Sequence, residues 1–171
     1  MALEDGFVEY LVKKKTSNKE IMVRVLCNVF VVCVVVGIPF FIGPALAPVS
    51  LFAGFVLWLI YHNFILPLTD IEYEYSYCDK EITVDKIMGK EKRKNIATYT
   101  LDKMDLLAPS NSYRLADYKN LKTVSYWSED DSDDHVPYAL VYDNREKVLL
   151  DLNGEFVKIV QNNAPRKVYT D

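Results

Sequence analysis

The sequence predicts a membrane α-helical hairpin followed by a mainly-β domain of the α+β kind, with about seven antiparallel strands and a C-terminal helix. Three observations predict it. No Lys, Arg, Asp or Glu stands between Arg24 and Asp70, a run long enough for two spans of roughly 20 apolar residues each. The middle of that run, Gly43-Pro44-Ala45-Leu46-Ala47-Pro48, gathers helix breakers with almost no polarity, so it reads as a tight turn. After Asp70 the apolar period drops to two: Ile71, Tyr73, Tyr75 and Tyr77 alternate with Glu72, Glu74 and Ser76.

Three regions follow: an N-terminal segment over 1–20, the hairpin over 21–68 with spans near 22–42 and 49–66, and the β-domain over 70–171. Leu3, Phe7, Val8 and Leu11 recur at helical spacing with Glu4, Asp5 and Glu9 between them. That predicts a short amphipathic helix, lying on the membrane surface or packed on the β-domain. A retained span rather than a cleaved signal peptide is expected, because the start is acidic and the apolar run begins only after residue 20.

Charge sets the topology. Lys13, Lys14, Lys15, Lys19 and Arg24 precede the first span, the turn between spans carries no charge, and Lys80, Lys86, Lys90, Lys92, Arg93 and Lys94 follow the second. The positive-inside rule puts both flanks, and so both termini, in the cytoplasm of a two-span protein of the cell membrane. Gly37 and Pro39 predict a kink in the outer third of the first span, while Trp58, Tyr61 and His62 gather at the inner end of the second. Gly37, Gly43, Ala53 and Gly54 offer small residues for close helix approach, though without a GxxxG pair.

In the β-domain, Asp79-Lys80 turns the chain into a return strand holding Ile82 and Val84, and Met88-Gly89-Lys90 turns it again. Further strands are predicted near 94–101, 104–108, 121–127, 136–142 and 147–152, with Asp143-Asn144-Arg145 as the last hairpin turn. Gly154 to Asn162 reads as a helix with Phe156, Val157, Ile159 and Val160 inward.

This order of elements resembles the pleckstrin-homology-like (PH-like) architecture, two packed antiparallel sheets closed by a helix. The stretches "DKEITVDKIMGKEKRK" and "LDKMDLLAP", with the tail "APRKVY", are similar to an uncharacterised family of Gram-positive bacterial membrane proteins in which two spans precede a PH-like domain. The resemblance implies fold and location and names no activity. One departure limits it. Pleckstrin-homology domains that bind phosphoinositides carry basic residues in the loop joining their first two strands, and Cys78-Asp79-Lys80-Glu81, read as that loop, has no surplus positive charge.

The remaining candidates are few. Lys90, Lys92, Arg93 and Lys94, with Lys13, Lys14 and Lys15, form the candidate contact to lipid headgroups, each worth about 1 kcal/mol near an anionic leaflet. The acidic run Glu129 to Asp134 lacks the Gly and distal Glu of a calcium loop and reads as solvated. The many strand tyrosines either line a groove or pack half-buried with wet hydroxyls. Cys27, Cys33 and Cys78 are unpaired by spacing, and neither His62 nor His135 has a partner suggesting activation, so no enzyme, cofactor or metal is expected. The β-domain is net acidic, which argues against nucleic acid. The expected partners are the bilayer and a membrane protein, or a second copy of the chain, with no small-molecule substrate.

Overall fold

A computed structural model describes residues 7–129 and 136–170. The described chain divides into two compact units, a helical one of 16–71 with 88–91, and a sheet-rich one of the described residues in 1–15, 72–87 and 92–171.

The helical unit holds α1 (Asn18–Phe41) and α2 (Pro44–Thr69), both long and apolar enough to cross a membrane. Their most apolar stretches reach mean hydropathies of 2.7 and 1.8, yet only 0% and 11% of those stretches are buried. A core helix of a soluble domain has the opposite burial. At the start of α1 the Ser17 N–H donates to the Glu20 carboxylate at 2.7 Å, half of a capping box.

Each helix contains a π-turn, Cys33–Gly37 and Tyr61–Ile65. The first ends just before Pro39, where the kink was expected. Proline has no N–H, so the Val35 carbonyl four residues earlier lacks its α-helical donor. Ser50 of α2, fully buried, offers a shared one: its single hydroxyl hydrogen stands between the Val35 carbonyl at 3.4 Å and the nearer Ala47 carbonyl at 3.0 Å. One turn on, a Cβ at Gly54 would fall 2.2 Å from Val35 Cγ2, so only glycine admits this approach. At the other end of the pair, Arg24 Nε donates to Thr69 Oγ1 at 2.7 Å and its NH2 group to the Thr69 carbonyl at 2.8 Å.

The β3–β4 turn of the sheet, residues 88–91, also belongs to this unit. Gly89 has φ +60° and its N–H donates to the Asp70 carbonyl at 2.9 Å. A Cβ there would meet Pro67 Cβ at 2.8 Å.

Among the described residues the sheet-rich unit has eight strands in two four-stranded sheets. The first runs β1 (Val8–Lys13), β2 (Ile71–Cys78), β3 (Glu81–Met88) and β4 (Lys92–Thr100) in that spatial order. The second has β5 (Met104–Pro109), β6 (Lys122–Ser125), β7 (Tyr138–Tyr142) and β8 (Glu146–Leu150), in the order β5-β7-β8-β6. Two-residue turns with positive φ at Asp79-Lys80 and Asp143-Asn144 match the right-handed twist of their hairpins.

β1 overturns the amphipathic helix expected over 1–20, as far as the described residues reach; Leu3 lies outside them. Val8–Lys13 is a strand paired antiparallel with β2, from Val8↔Tyr77 to Lys13↔Glu72. Val8, Tyr10 and Val12 face inward while Glu9, Leu11 and Lys13 are exposed, a two-residue period that satisfies the otherwise bare edge of β2. Among the described residues β1 is thus a strand additional to those expected after Asp70. β6 also departs from expectation, pairing parallel with β8 after crossing to the far edge.

α3 (Gly154–Asn163) is capped by the Asn153 side chain, which accepts the Phe156 N–H at 2.8 Å, and it buries Phe156, Val157 and Val160. The core joins these to Tyr75, Tyr77, Ile82, Val84, Leu107, Leu140, Val148 and Leu150, all at most 1% exposed. Each fully buried aliphatic or Phe side chain contributes roughly 1.5–3 kcal/mol. On the other face of the second sheet, Leu106, Ala108, Ala139 and Val141 are covered by Leu115 of a 3₁₀ segment, Tyr113–Tyr118. The tail closes the β5 edge: Leu107 N–H donates to Lys167 O, and Tyr169 N–H to Leu107 O, each at 2.8 Å.

Candidate functional site

The seven basic residues singled out from sequence fall in different settings. Lys13 ends β1 opposite Glu72. Lys14 Nζ lies 3.6 Å from Glu129 Oε2, and Lys15 donates its N–H to the Ser128 carbonyl at 2.7 Å. This run is thereby tied to the base of the 126–129 loop rather than presented as a bare patch. Lys90 is the exposed tip of the 88–91 turn, with φ +63°. Lys92 and Lys94 are exposed at the start of β4.

Arg93 has ion-pair partners within the sheet. Its guanidinium is 2.7 Å from both Glu74 Oε2 and Asp85 Oδ2, and Asn95 also donates to Asp85 at 2.8 Å. Pairing across β2, β3 and β4 uses its charge inside the sheet. Burial raises the Glu74 carboxyl above its usual range, Arg93 pulls it back, and Glu9 and Asp85 add to the rise.

Strand order fixes where these residues stand within the sheet. β1 ends at Lys13 beside Glu72, and the β2–β3–β4 meander returns Lys92 to that same end of the sheet, at the opposite edge. The loop joining the first two strands of this chain is therefore the whole helical hairpin, and Cys78-Asp79-Lys80-Glu81 joins the second and third. That corrects the loop assignment made from sequence.

A buried polar link runs through the sheet-rich unit. The Tyr75 hydroxyl, in the core, donates to the Tyr126 carbonyl and accepts the Asp151 N–H at 3.3 Å. The Asp151 carboxylate, 1% exposed, accepts the Ser128 N–H at 2.6 Å. Burial pushes the Tyr75 phenol far above its usual range. Tyr73, Tyr75, Tyr77 and Tyr99 are all buried, so these tyrosines are core and line no groove.

Among the described residues no group of three or more His, Cys, Asp or Glu is placed to hold a metal. His135 and the acidic residues 130–134 lie outside the described residues.

Residues 4–170 match the family described as Bacterial PH-like domain (DUF6106). The chain belongs to this family. No curated protein and no solved structure matches it. The match takes in the two helices as well as the sheets, and the family-like stretches acquire physical roles. Gly89 of "IMGKEKRK" makes the turn against Pro67, and Arg93 knits three strands. In "APRKVY", Lys167 donates to the Leu101 and Asp102 carbonyls at 2.9 and 3.0 Å, and Arg114 stacks 3.9 Å over the Tyr169 ring.

Sequence reasoning missed Ser50-x-x-x-Gly54, the small-residue pair that meets α1, because serine stands where a GxxxG pair would have its first glycine. It also missed the Arg24–Thr69 clasp, for which a charge at one hydrophobic boundary and a hydroxyl at the other was the available signal.

Proposed function

We propose that this chain is a membrane-anchored, non-enzymatic binding module, with its PH-like domain held at the cytoplasmic face of the cell membrane for a membrane-protein partner. The observation that carries the proposal is the insertion of the hairpin between β1 and β2. Because Lys13 pairs with Glu72, both ends of the insert start from one place. A segment that leaves and returns to one sheet end crosses a bilayer an even number of times, and two helices of sufficient length are present. The uncharged turn around Gly43 then faces outside and the basic flanks face the cytoplasm. Lys90, Lys92 and Lys94 add attraction to the anionic leaflet, about 1 kcal/mol for each at the surface.

The test uses the full chain in its native membrane. Cys78 is exposed on the β-domain, and Ala45→Cys would place a thiol in the turn. In intact cells an impermeant maleimide is expected to label the thiol introduced by Ala45→Cys and to reach Cys78 only after lysis. Labelling of Cys78 from outside, or release of the chain by an alkaline wash, would overturn the proposal.

A further inference from the structure

One cavity of about 520 Å³ lies between α1 and α2, within the helical unit. That is the size of a small-molecule site, and spaces between bundle helices are a common place for one. Its walls are Leu26, Cys27 and Phe30 from α1 and Leu57, Ile60 and Ile65 from α2, among others. These are mostly bulky side chains. A transmembrane helix docks closely through small residues, and the small pair of α2, Ser50 and Gly54, is already used on Val35.

A charge stands one turn past this groove. Arg24 stands three residues before Cys27 and Thr69 four after Ile65, one helical turn past the groove on each helix, and the Arg24 guanidinium is held by the hydroxyl and carbonyl of Thr69. Neither group cancels the positive charge, and a guanidinium has five N–H donors, so donors remain for a ligand. Glu20, one turn earlier, is turned to the helix start, where its carboxylate accepts the Ser17 N–H. Lys19 lies about 7.5 Å further along the α1 axis by helical rise. Lys90 follows Gly89, which packs on Pro67 and bonds to Asp70 at the end of α2. An oriented cation therefore stands one helical turn past an apolar groove, with two exposed lysines further out.

We infer that the hairpin binds one anionic phospholipid, its phosphate on Arg24 and one acyl chain between α1 and α2. The inference rests on the reading that the hairpin lies in a bilayer. Arg suits a phosphate because its fork donates two parallel hydrogen bonds, and Thr69 holds that fork before the lipid arrives.

The experiment uses the full chain in detergent micelles carrying equal amounts of phosphatidylglycerol and phosphatidylcholine, with retained lipid read by native mass spectrometry. One retained phosphatidylglycerol per chain is expected, at least tenfold over phosphatidylcholine. Arg24→Gln is expected to bring the two lipids to parity, and Arg24→Lys to keep most of the preference. Cys27→Phe, which fills the groove, is expected to lose retained lipid of both kinds, with helix content by circular dichroism unchanged. Equal retention by the unaltered chain, or a preference that survives Arg24→Gln, would overturn the inference. So would a lipid-free dimer, which would give the groove to a second copy. Alkaline extraction of vesicles made from the same preparation separates the two readings. A chain that stays in the pellet without lipid preference sinks the lipid site alone, whereas a chain that washes off sinks the anchor.

Discussion

Ser50 of α2 answers the carbonyl of Val35 on α1, the one that Pro39 leaves without a helical donor. A proline in a span is tolerated where a neighbouring helix makes good the lost bond, and here the partner is one hydroxyl beside one glycine.

Ser50→Ala should cost about 0.6 kcal/mol of hairpin stability, the average for hydrogen bonds between membrane helices, and at most about 1.7 kcal/mol. Gly54→Val should cost more, because its first carbon already collides with Val35 Cγ2. Val35→Ala should recover part of the Gly54→Ala loss. Unfolding of the full chain by titrated SDS reads all four variants, and a Gly54→Ala defect untouched by Val35→Ala would disprove the contact.

The β-domain needs the strand that precedes the hairpin. A fragment of residues 70–171 exposes the β2 edge and the inward face that Tyr10 covers, where its ring stacks 6.5 Å from that of Tyr75. It should aggregate or give poorly dispersed amide NMR signals. Residues 1–15 joined to 71–171 through a short Gly-Ser linker should fold. A well-dispersed, monomeric 70–171 fragment would show that β1 is dispensable.

Tyr75→Phe removes one hydroxyl that satisfies the Tyr126 carbonyl and the Asp151 N–H. Leaving such groups unanswered in the core costs about 1–3 kcal/mol, seen as a lower midpoint in urea. The raised phenol of Tyr75 also gives a sign to alkaline pH. The folded state keeps this proton after an unfolded tyrosine would lose it. Stability from this group is full below the ordinary tyrosine range and falls as pH rises through and above it. Spectrophotometric titration of the full chain should show Tyr75 ionising only with unfolding.

Glu74 carries the acid counterpart. Its carboxyl is raised chiefly by burial, so the folded state binds a proton that the unfolded state has released. Stability is full below the ordinary glutamate range, near about pH 4, and declines as pH rises through the raised value. Glu74→Gln should flatten that slope. Arg93→Met, which removes the charge that restrains the shift, should steepen it. Thermal midpoints measured from about pH 4 to 7 decide this, and an unchanged slope in Glu74→Gln would rule the group out.

How far the chain could be read in advance differs element by element. The Ile71–Cys78 strand, its Asp79-Lys80 turn and the helix after Asn153 were legible because burial on one face writes a period into the residues. Val8–Lys13 was misread because Phe7, Val8 and Leu11 fit a helical stripe as well as Val8, Tyr10 and Val12 fit a strand. A short segment does not hold enough turns to separate the two periods. Arg93 looked like one more cation of a patch, since nothing local reveals that Glu74 and Asp85 stand on neighbouring strands.

The sequence alone determined the two apolar helices, the break between them and the β-rich remainder, because each depends on hydrophobicity and period along the chain. Tertiary structure decided which strand pairs with which, and so that the hairpin interrupts a sheet rather than preceding a domain. It also decided which charges are spent on internal partners. Those outcomes depend on residues distant in the chain, such as Lys13 with Glu72 and Arg24 with Thr69, coming side by side, which no local pattern encodes.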